Sequence, residues 1–510
     1  MIVVSKVNDV YIHVDADRGI QAELSDFFTF QVPGYQFTPQ YRSRVWDGKI
    51  RLYSYATGKI FAGLLPYIRQ FAKDKNIEYF EAKDVESINN IKKEEVIKFV
   101  DSLKPQSRGK PLEIRDYQYE AIYSSIKYNR NMILSPTASG KSLIIYSLIR
   151  FYRLLLKKEK NNKILIIVPT TSLVEQMYSD FKDYGWNVTN YCQKIYQGFT
   201  KEAKKEVVIS TWQSIYKMPK SFFKDFGCVL GDEAHLFKAK SLMSIMTKLE
   251  QCKFRTGLTG TLDGTKTHKL VLEGLFGVVN KVTSTKTLMD KKQLAKLSVK
   301  CLVLKHTQQS REYIKNKSYQ EEVDYLVRNE TRNNFVKNLC LDLQGNTLCL
   351  FQFVEKHGEV LYNLLKDSPN KKVFFIHGGV ETDERERVRG IVEKSDNAII
   401  IASYGTFSTG VNIRNLHNLV FAFSGKSRIR HLQSIGRSLR LGDNKTDATM
   451  YDITDDLSIG ENKNYTLQHF LERINIYNEE QFDYEIHNVE LKKWQHQQNH
   501  HMFLLVRLSS

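Results

Sequence analysis

Between residues 112 and 281, short continuous apolar runs alternate with stretches of helical period. NMIL (131–134), KILIIVP (163–169), EVVIS (206–210) and CVLGD (228–232) read as strands. The alternation resumes over 282–455 with TLCLFQF (347–353), KVFFIHG (372–378), AIIIAS (398–403) and NLVFAF (418–423). Apolar runs without polar alternation suit strands buried on both faces, as in a parallel sheet covered by helices. Two such segments in succession predict an α/β, two-lobed architecture. Residues 1–85 differ. They are rich in β-branched and aromatic residues with turn signals at Pro33-Gly34 and Asp47-Gly48, and are expected to form a small α+β accessory domain. Residues 86–111 hold an amphipathic helix within IKKEEVIKFVDSLK (91–104) and a linker, KPQSRGKP (104–111). Residues 456–510 read as a polar, helical C-terminal tail ending in an apolar run.

Composition narrows the class. A chain of 510 residues suits roughly three domains. With 42% hydrophobic and 26% charged residues it is globular rather than disordered. A net charge of +18 favours a polyanionic partner, although a merely basic soluble protein gives the same sum. None of the 6 cysteines forms a CxxC pair, which removes the common zinc and thioredoxin-like readings and suits a reducing compartment. No apolar run approaches the ~18–20 residues needed to span a bilayer, and the N-terminus turns acidic before an apolar signal segment develops. A cytoplasmic protein without a membrane partner is expected.

Three constellations carry chemistry. Ser135-Pro136-Thr137-Ala138-Ser139-Gly140-Lys141-Ser142 follows the strand NMIL and opens a helical stretch, the context a phosphate-binding loop requires, although Ser135 stands where the general pattern has Gly. Backbone N–H groups there would hold ATP phosphates, Lys141 would reach the β and γ groups, and Ser142 would bind Mg²⁺. Asp232-Glu233-Ala234-His235 follows a strand, so Asp232 would hold Mg²⁺ and Glu233 would polarise the attacking water. A solvated acidic loop is the plainer alternative for that tetrad alone. Gln433 to Arg440 places Arg437 and Arg440 on one helical face, suited to stabilising a transferring phosphoryl group across a cleft or, standing alone, to a solvated basic face.

Taken in order, these segments resemble superfamily 2 helicases and translocases of the DEAH spelling. Arg115-Asp116-Tyr117-Gln118 looks like the adenine-reading Q motif, Ser135–Ser142 motif I, Val168–Ser172 motif Ia, Ile209–Gln213 motif Ib, Asp232–His235 motif II and Leu258–Thr261 motif III. Leu350–Phe353 resembles motif IV, Ala402-Ser403 through Asn412 motif V, and Gln433–Arg440 motif VI. Motif V carries Asn412 where Asp is usual, and motif III reads Thr-Gly-Thr rather than Ser-Ala-Thr. The resemblance implies two tandem RecA-like lobes, 112–281 and 282–455. It implies ATP and Mg²⁺ as ligands, with Gly410 and Asn412 joining Gln118 and Thr137–Ser142 around the nucleotide, and His235, Thr259 and Thr261 coupling nucleotide state to grip. Thr170, Thr211, Phe351 and Ser403 would hold nucleic-acid phosphates. It further implies a DNA helicase acting on branched DNA and RNA–DNA hybrids in recombination, repair and replication, with single-strand-binding or recombination proteins as candidate partners. An RNA helicase, a duplex translocase without strand separation and a non-hydrolysing clamp remain alternatives.

Within the first 85 residues, Gln40–Ser54 reads as a hairpin turning at Asp47-Gly48. That register would place Arg42, Arg44, Trp46, Lys49, Arg51 and Tyr53 on one face, a basic and aromatic surface for nucleic acid. A solvated strand face with Trp46 as local core is the alternative.

Overall fold

The computed structural model describes residues 1–86, 88–406, 413–423, 425, 427–441 and 445–491, without the side chains of residues 382, 430 and 437. The chain divides into two compact units, Met1–Thr283 and Ser284–Ser510. In the first, the expected apolar runs form a seven-stranded parallel sheet. Its order is Cys192–Ile195, Val207–Thr211, Lys163–Val168, Phe226–Asp232, Phe254–Thr259, Arg130–Leu134, Val279–Lys281. Ile164, Leu165 and Ile166 are completely buried because helices cover both faces, which is why the run shows no polar alternation. Parallel register aligns the carboxyl ends: Leu134 pairs with Thr259 and Asp232 with Leu258. The three segments named for phosphate, metal and coupling chemistry therefore leave the sheet at one edge, where loops of open α/β sheets bind ligands.

The second unit repeats the plan, in the order Lys372–Ile376, Ala398–Ser403, Thr347–Phe351, Asn418–Phe421, Asp447–Asp456, Lys296–Lys305, Tyr484–Glu490. Three of these strands were not legible as apolar runs. Asp447–Asp456 buries Asp452 and Asp455, acids that break up any apolar run. Each is paired: Arg473 grips Asp452 with two bonds of 2.8 and 2.9 Å, and Arg332 Nε lies 2.9 Å from Asp455, which also meets His306 at 2.9 Å. Burial raises the Asp455 carboxyl, but Arg332 and His306 outweigh it and hold it down at about 2. Removing one partner of such a pair costs about 3–5 kcal/mol, because a buried charge is left alone. Beyond 456 the chain forms the expected helix, Tyr465–Glu479, and then the strand Tyr484–Glu490, which joins the sheet beside Lys296–Lys305. The C-terminal apolar run lies outside the described residues. Among the described residues no helix is long and apolar enough to cross a membrane.

The accessory domain is a mixed five-stranded sheet, ordered Tyr53–Ser54, Lys59–Phe61, Tyr11–Ala16, Ile2–Lys6, Tyr79–Glu81, with helices Arg18–Phe27 and Leu65–Asp74. The hairpin expected over 40–54 does not form. Thr38 caps a short helix, Pro39–Arg42, with Pro at its first turn, so residues 39–42 are helical and Arg42 and Arg44 pair with no strand. Asp47 turns the chain by accepting from Lys49 N at 3.1 Å, but the partner of Lys49–Arg51 is Thr29–Gln31. Tyr53 is core, 2% exposed. Of the six residues assigned to one face, Lys49 and Arg51 share a face of the actual ribbon. The segment read as a linker also folds, as strands Gln106–Ser107 and Lys110–Pro111 around Arg108-Gly109, both with positive φ.

This domain packs directly on the first sheet's layer. A Cβ on Gly63 would lie 2.0 Å from the carbonyl oxygen of Glu273, and one on Gly274 would lie 3.0 Å from Phe61. Tyr67 donates to the fully buried Glu273 at 2.6 Å, whose other oxygen accepts from Val279 N at 3.0 Å. Backbone contact adds a bond of 3.0 Å from Asp9 N to Glu250 O. Close backbone approach thus requires glycine at 63. Gly63→Ala is expected to lower stability by about 1–3 kcal/mol through overpacking. Gly390→Ala, mid-helix with nothing within 4 Å of the added carbon, should be neutral or raise stability by about 0.5–1 kcal/mol. Thermal denaturation of both variants checks the contrast; equal effects would contradict the dock.

Candidate functional site

The phosphate loop spans 135–140, between strand Arg130–Leu134 and helix Lys141–Leu156. Ser135 stands where glycine is common because its backbone is not in the left-handed region. Its N–H bonds Thr259 O at 2.9 Å and its hydroxyl bonds that of Ser139 at 2.7 Å, stapling the loop. The left-handed positions fall instead on Ala138 (φ 67°) and Gly140 (φ 81°), a strained reversal that turns backbone N–H groups toward the helix start. Gln118 and Tyr117, from helix Asp116–Tyr128, both donate to Ser139 O, at 3.0 and 2.7 Å. A Cβ on Gly140 would meet Gln118 Nε2 at 2.5 Å. The residue expected to read adenine therefore braces the loop. Lys141 Nζ lies over its own loop, 3.3 Å from Ser135 O and 3.2 Å from Pro136 O. These contacts are readily exchanged for phosphate oxygens. Gly260 packs against Thr137 and Lys141, which ties the loop after Thr259 to the cradle.

Asp232 ends strand Phe226–Asp232, recessed but partly accessible. Desolvation, with Glu233 adding like charge, raises its carboxyl to about 7, against opposing pulls from Lys141 and the Glu233 N–H. Among the described residues no Lys or Arg nitrogen lies within ion-pair distance of Asp232, so a divalent cation is the charge this carboxylate lacks. Ser142, the second expected Mg²⁺ ligand, lies in the first turn of the neighbouring helix. The donor set of one carboxylate and one hydroxyl, with room for water and phosphate oxygens, fits Mg²⁺. Glu233 adopts φ 50°, ψ 50°, which swings its side chain away from the strand direction.

His235 links this carboxylate to the third segment. Its Nδ1 lies 2.9 Å from Thr259 Oγ1 and 3.4 Å from Glu233 Oε2. The Thr259 hydroxyl spends its proton on Thr261 O at 3.0 Å, which leaves Nδ1–H as the donor. Burial lowers the His235 pKa and keeps the ring neutral. Glu233, His235, Thr259 and Thr261 thus form one chain of contacts from the second segment to the third. Sequence reading missed its extension. Asp263 accepts from Lys238 and His268 and caps Thr265 N at 3.0 Å, fixing the loop after Thr261 to the start of helix Lys266–Phe276. Spacing gave no signal for this cluster, since its members come from three elements.

In the second unit, Arg440 follows helix Arg428–Ser438 and is half-buried. The Arg437 side chain, Gly410 and Asn412 lie outside the described residues. The helix is held from beneath: His431 donates to the Tyr477 hydroxyl at 2.6 Å, which donates to Asp452 at 2.8 Å, and burial pushes His431 down to about 3. Lys445, also missed, donates to Ser438 O, to Arg440 O at 3.1 Å and to Arg414 O at 3.4 Å. Burial brings its pKa down to about 7. Ser403 ends strand Ala398–Ser403 and bonds Thr406 Oγ1 at 2.8 Å. Phe351 is corrected: it is fully buried, stacked on Phe375 and pressed against Gly358, so its ring offers nucleic acid no surface. In the first unit, Thr170 caps helix Thr171–Asp183 and Thr211 bonds Ser214 at 2.9 Å, at the ends of adjacent strands joined by Gln213 Nε2 to Pro169 O, 3.3 Å. Thr170 is partly accessible, whereas Thr211 is 4% exposed.

Comparison with known proteins accords with this arrangement. Residues 3–81 match the family described as DNA helicase UvsW, N-terminal; residues 111–264 match Type III restriction enzyme, res subunit; and residues 330–442 match the helicase conserved C-terminal domain. The chain is 34% identical over 498 residues to the ATP-dependent DNA helicase uvsW of Enterobacteria phage T4, covering 94% of this chain and 98% of that protein. The crystal structure of T4 UvsW superposes with a TM-score of 0.51 at 31% identity, over 96% of this chain and all of that one. A second structure of the UvsW helicase from bacteriophage T4 gives 0.50 at 34% identity, over 55% of this chain and 99% of its own. Likeness at this level across nearly the full length of both sequences decides the matter: the chain belongs to the UvsW family of superfamily 2 ATP-dependent DNA helicases.

Proposed function

We propose that the chain couples Mg²⁺-dependent ATP hydrolysis to the remodelling of branched DNA, such as junctions, stalled forks and R-loops, in recombination, repair and replication, acting in the cytoplasm of an infected host. The observation that carries the ATPase half is the shared sheet edge: Asp232, Thr259 and the loop that leads from Leu134 to Lys141 leave parallel strands side by side. Lys141 exchanges its loop carbonyls for the β and γ phosphates. Asp232 and Ser142 hold Mg²⁺, which when bound screens phosphate charge. Glu233 orients and deprotonates the attacking water, and His235–Thr259–Thr261 carries the change at Glu233 toward Asp263. Gln118 braces the loop on the adenine side, with Gly410 and Asn412 completing the nucleotide's surroundings. Arg437 and Arg440 supply positive charge to the transition state from the second unit, a role worth about 10³–10⁵ in rate where it is known. Thr170, Ser403 and the backbone at Thr211 track strand phosphates. The DNA preference and the branched substrate rest on the family and on the accessory domain, whose Arg42, Arg44, Lys49 and Arg51 give it a cationic surface.

ATP turnover is expected to rise more with forked and four-way DNA than with linear duplex, single strands or RNA, and comparing these ligands at one salt concentration is the direct test. Lys141→Ala should abolish turnover. Glu233→Gln should lower kcat by roughly 10²–10⁴ while nucleotide binding persists; undiminished turnover in that variant would remove Glu233 as the base.

Metal binding should be pH-dependent. The Asp232 carboxyl, raised to about 7, is protonated below that pH, and Mg²⁺ requires the carboxylate. Affinity for the Mg²⁺–nucleotide should therefore weaken toward about tenfold per pH unit below 7 and level off above it, with proton release on binding. Calorimetry in buffers of differing ionisation enthalpy measures both. A flat profile without proton release from pH 6 to 8 would contradict the assignment.

A further inference from the structure

The accessory domain carries a built protrusion. The ribbon of Thr29–Gln31 and Lys49–Arg51 forms a stem, and Val32 N closes its neck onto Gly48 O at 2.9 Å. Residues 32–48 are thus a compact loop with adjoining ends, of the kind packed by its own side chains and used for binding. Tyr35 sits so close to Gly48 that a Cβ there would meet its ring at 2.3 Å, and Tyr35 stacks edge-on against Tyr41 with centroids 4.6 Å apart. Trp46 Nε1 donates to Lys49 O at 2.8 Å, which pins the returning arm. The loop therefore holds its shape without help from the rest of the molecule.

Two large apolar side chains are among those it holds outward. Val45 is 80% exposed and Phe37 75%, the two most exposed large hydrophobic side chains among the described residues. Each leaves apolar area in water that burial would favour by about 25 cal/mol per Å². Arg42 and Arg44 are exposed on the same loop, and among the described residues neither has a carboxylate within ion-pair distance. Exposed apolar side chains with unpaired cations on the same loop are ill-suited to a continuous duplex, whose base faces are stacked away. It suits a partner that offers phosphates together with an exposed base face. That combination occurs where strands diverge.

We propose that this loop is a wedge for the branch point of DNA: Phe37 stacks on the terminal base pair or the first unpaired base, Val45 adds apolar contact, and Arg42 and Arg44 hold the flanking phosphates. This rests on the branched-DNA reading above and names its point of contact.

Phe37→Ala in the full chain is the decisive variant, because an exposed ring can be removed without opening a core. The preference for a four-way junction over linear duplex should fall by roughly fivefold or more, the range of a lost base stack. Basal ATPase and duplex affinity should stay unchanged. A 2-aminopurine placed at the branch should show an emission change on binding wild-type protein that disappears in Phe37→Ala and returns in Phe37→Trp. Arg42→Ala/Arg44→Ala should instead weaken all DNA ligands and flatten their salt dependence. If wild-type protein favours branched DNA and Phe37→Ala keeps both that preference and the 2-aminopurine signal, the wedge is wrong while the broader reading stands. If wild-type protein shows no such preference, both fall together.

Discussion

A recessed carboxylate with no cation within ion-pair distance among the described residues sets the character of this molecule. Asp232 sits at a strand end beside Glu233, with Lys141 near enough to influence it and too far to pair. Two adjacent acids in that setting are unfavourable in the protein alone and become favourable when a divalent ion and polyphosphate arrive. The surrounding structure keeps this arrangement from relaxing. Ser135 and Ser139 staple the loop, Gln118 and Tyr117 hold its carbonyl, and Gly260 packs against its centre. Strain at Ala138 persists because these contacts over-determine it.

From that site, contacts lead outward through identifiable atoms. Glu233 meets His235, His235 meets Thr259, and the loop after Thr261 is fixed by Asp263 to Lys238 and His268. His268 belongs to helix Lys266–Phe276, whose far end presents Glu273 and Gly274 to the accessory domain through Tyr67, Gly63 and Phe61. A single short helix thus has one end in the Asp263 cluster and the other under the domain that carries the protruding loop. Such continuity is a physical route for coupling, and only measured coupling energies would make it a pathway.

The second unit solves a related problem with buried charge. A helix resting only on apolar contacts can shift, and Arg428–Ser438 does not rest on these alone. The chain His431–Tyr477–Asp452–Arg473 fixes the helix by directional bonds, and Lys445 gathers the carbonyls at its end. Buried ion pairs add little net stability over apolar packing, so positional specificity is the better account of their presence.

Much of this was legible in the residues. Uninterrupted apolar runs gave the two parallel sheets, because a strand buried on both faces admits no polar position. The order of Gln118, Lys141, Asp232, Thr259 and Arg437 gave the helicase family, because nucleotide-binding segments follow strands in a set succession. The hairpin of 40–54 misled, because Thr38-Pro39 starts a helix locally while the partner of Lys49–Arg51 lies twenty residues away. Phe351 misled because a strand-end aromatic reads alike whether it faces solvent or core. The strand Asp447–Asp456 stayed hidden because its buried acids find arginines far along the chain, and Lys296–Lys305 because lysines interrupt its apolar run. Sequence by itself determined the apolar strands of the two sheets and the helicase class of the chain, since strand burial on both faces and motif chemistry are written locally. Only the tertiary structure decided which faces are buried, which charges are paired and which apolar side chains remain in water, since each of those depends on a neighbour that sequence distance does not reveal.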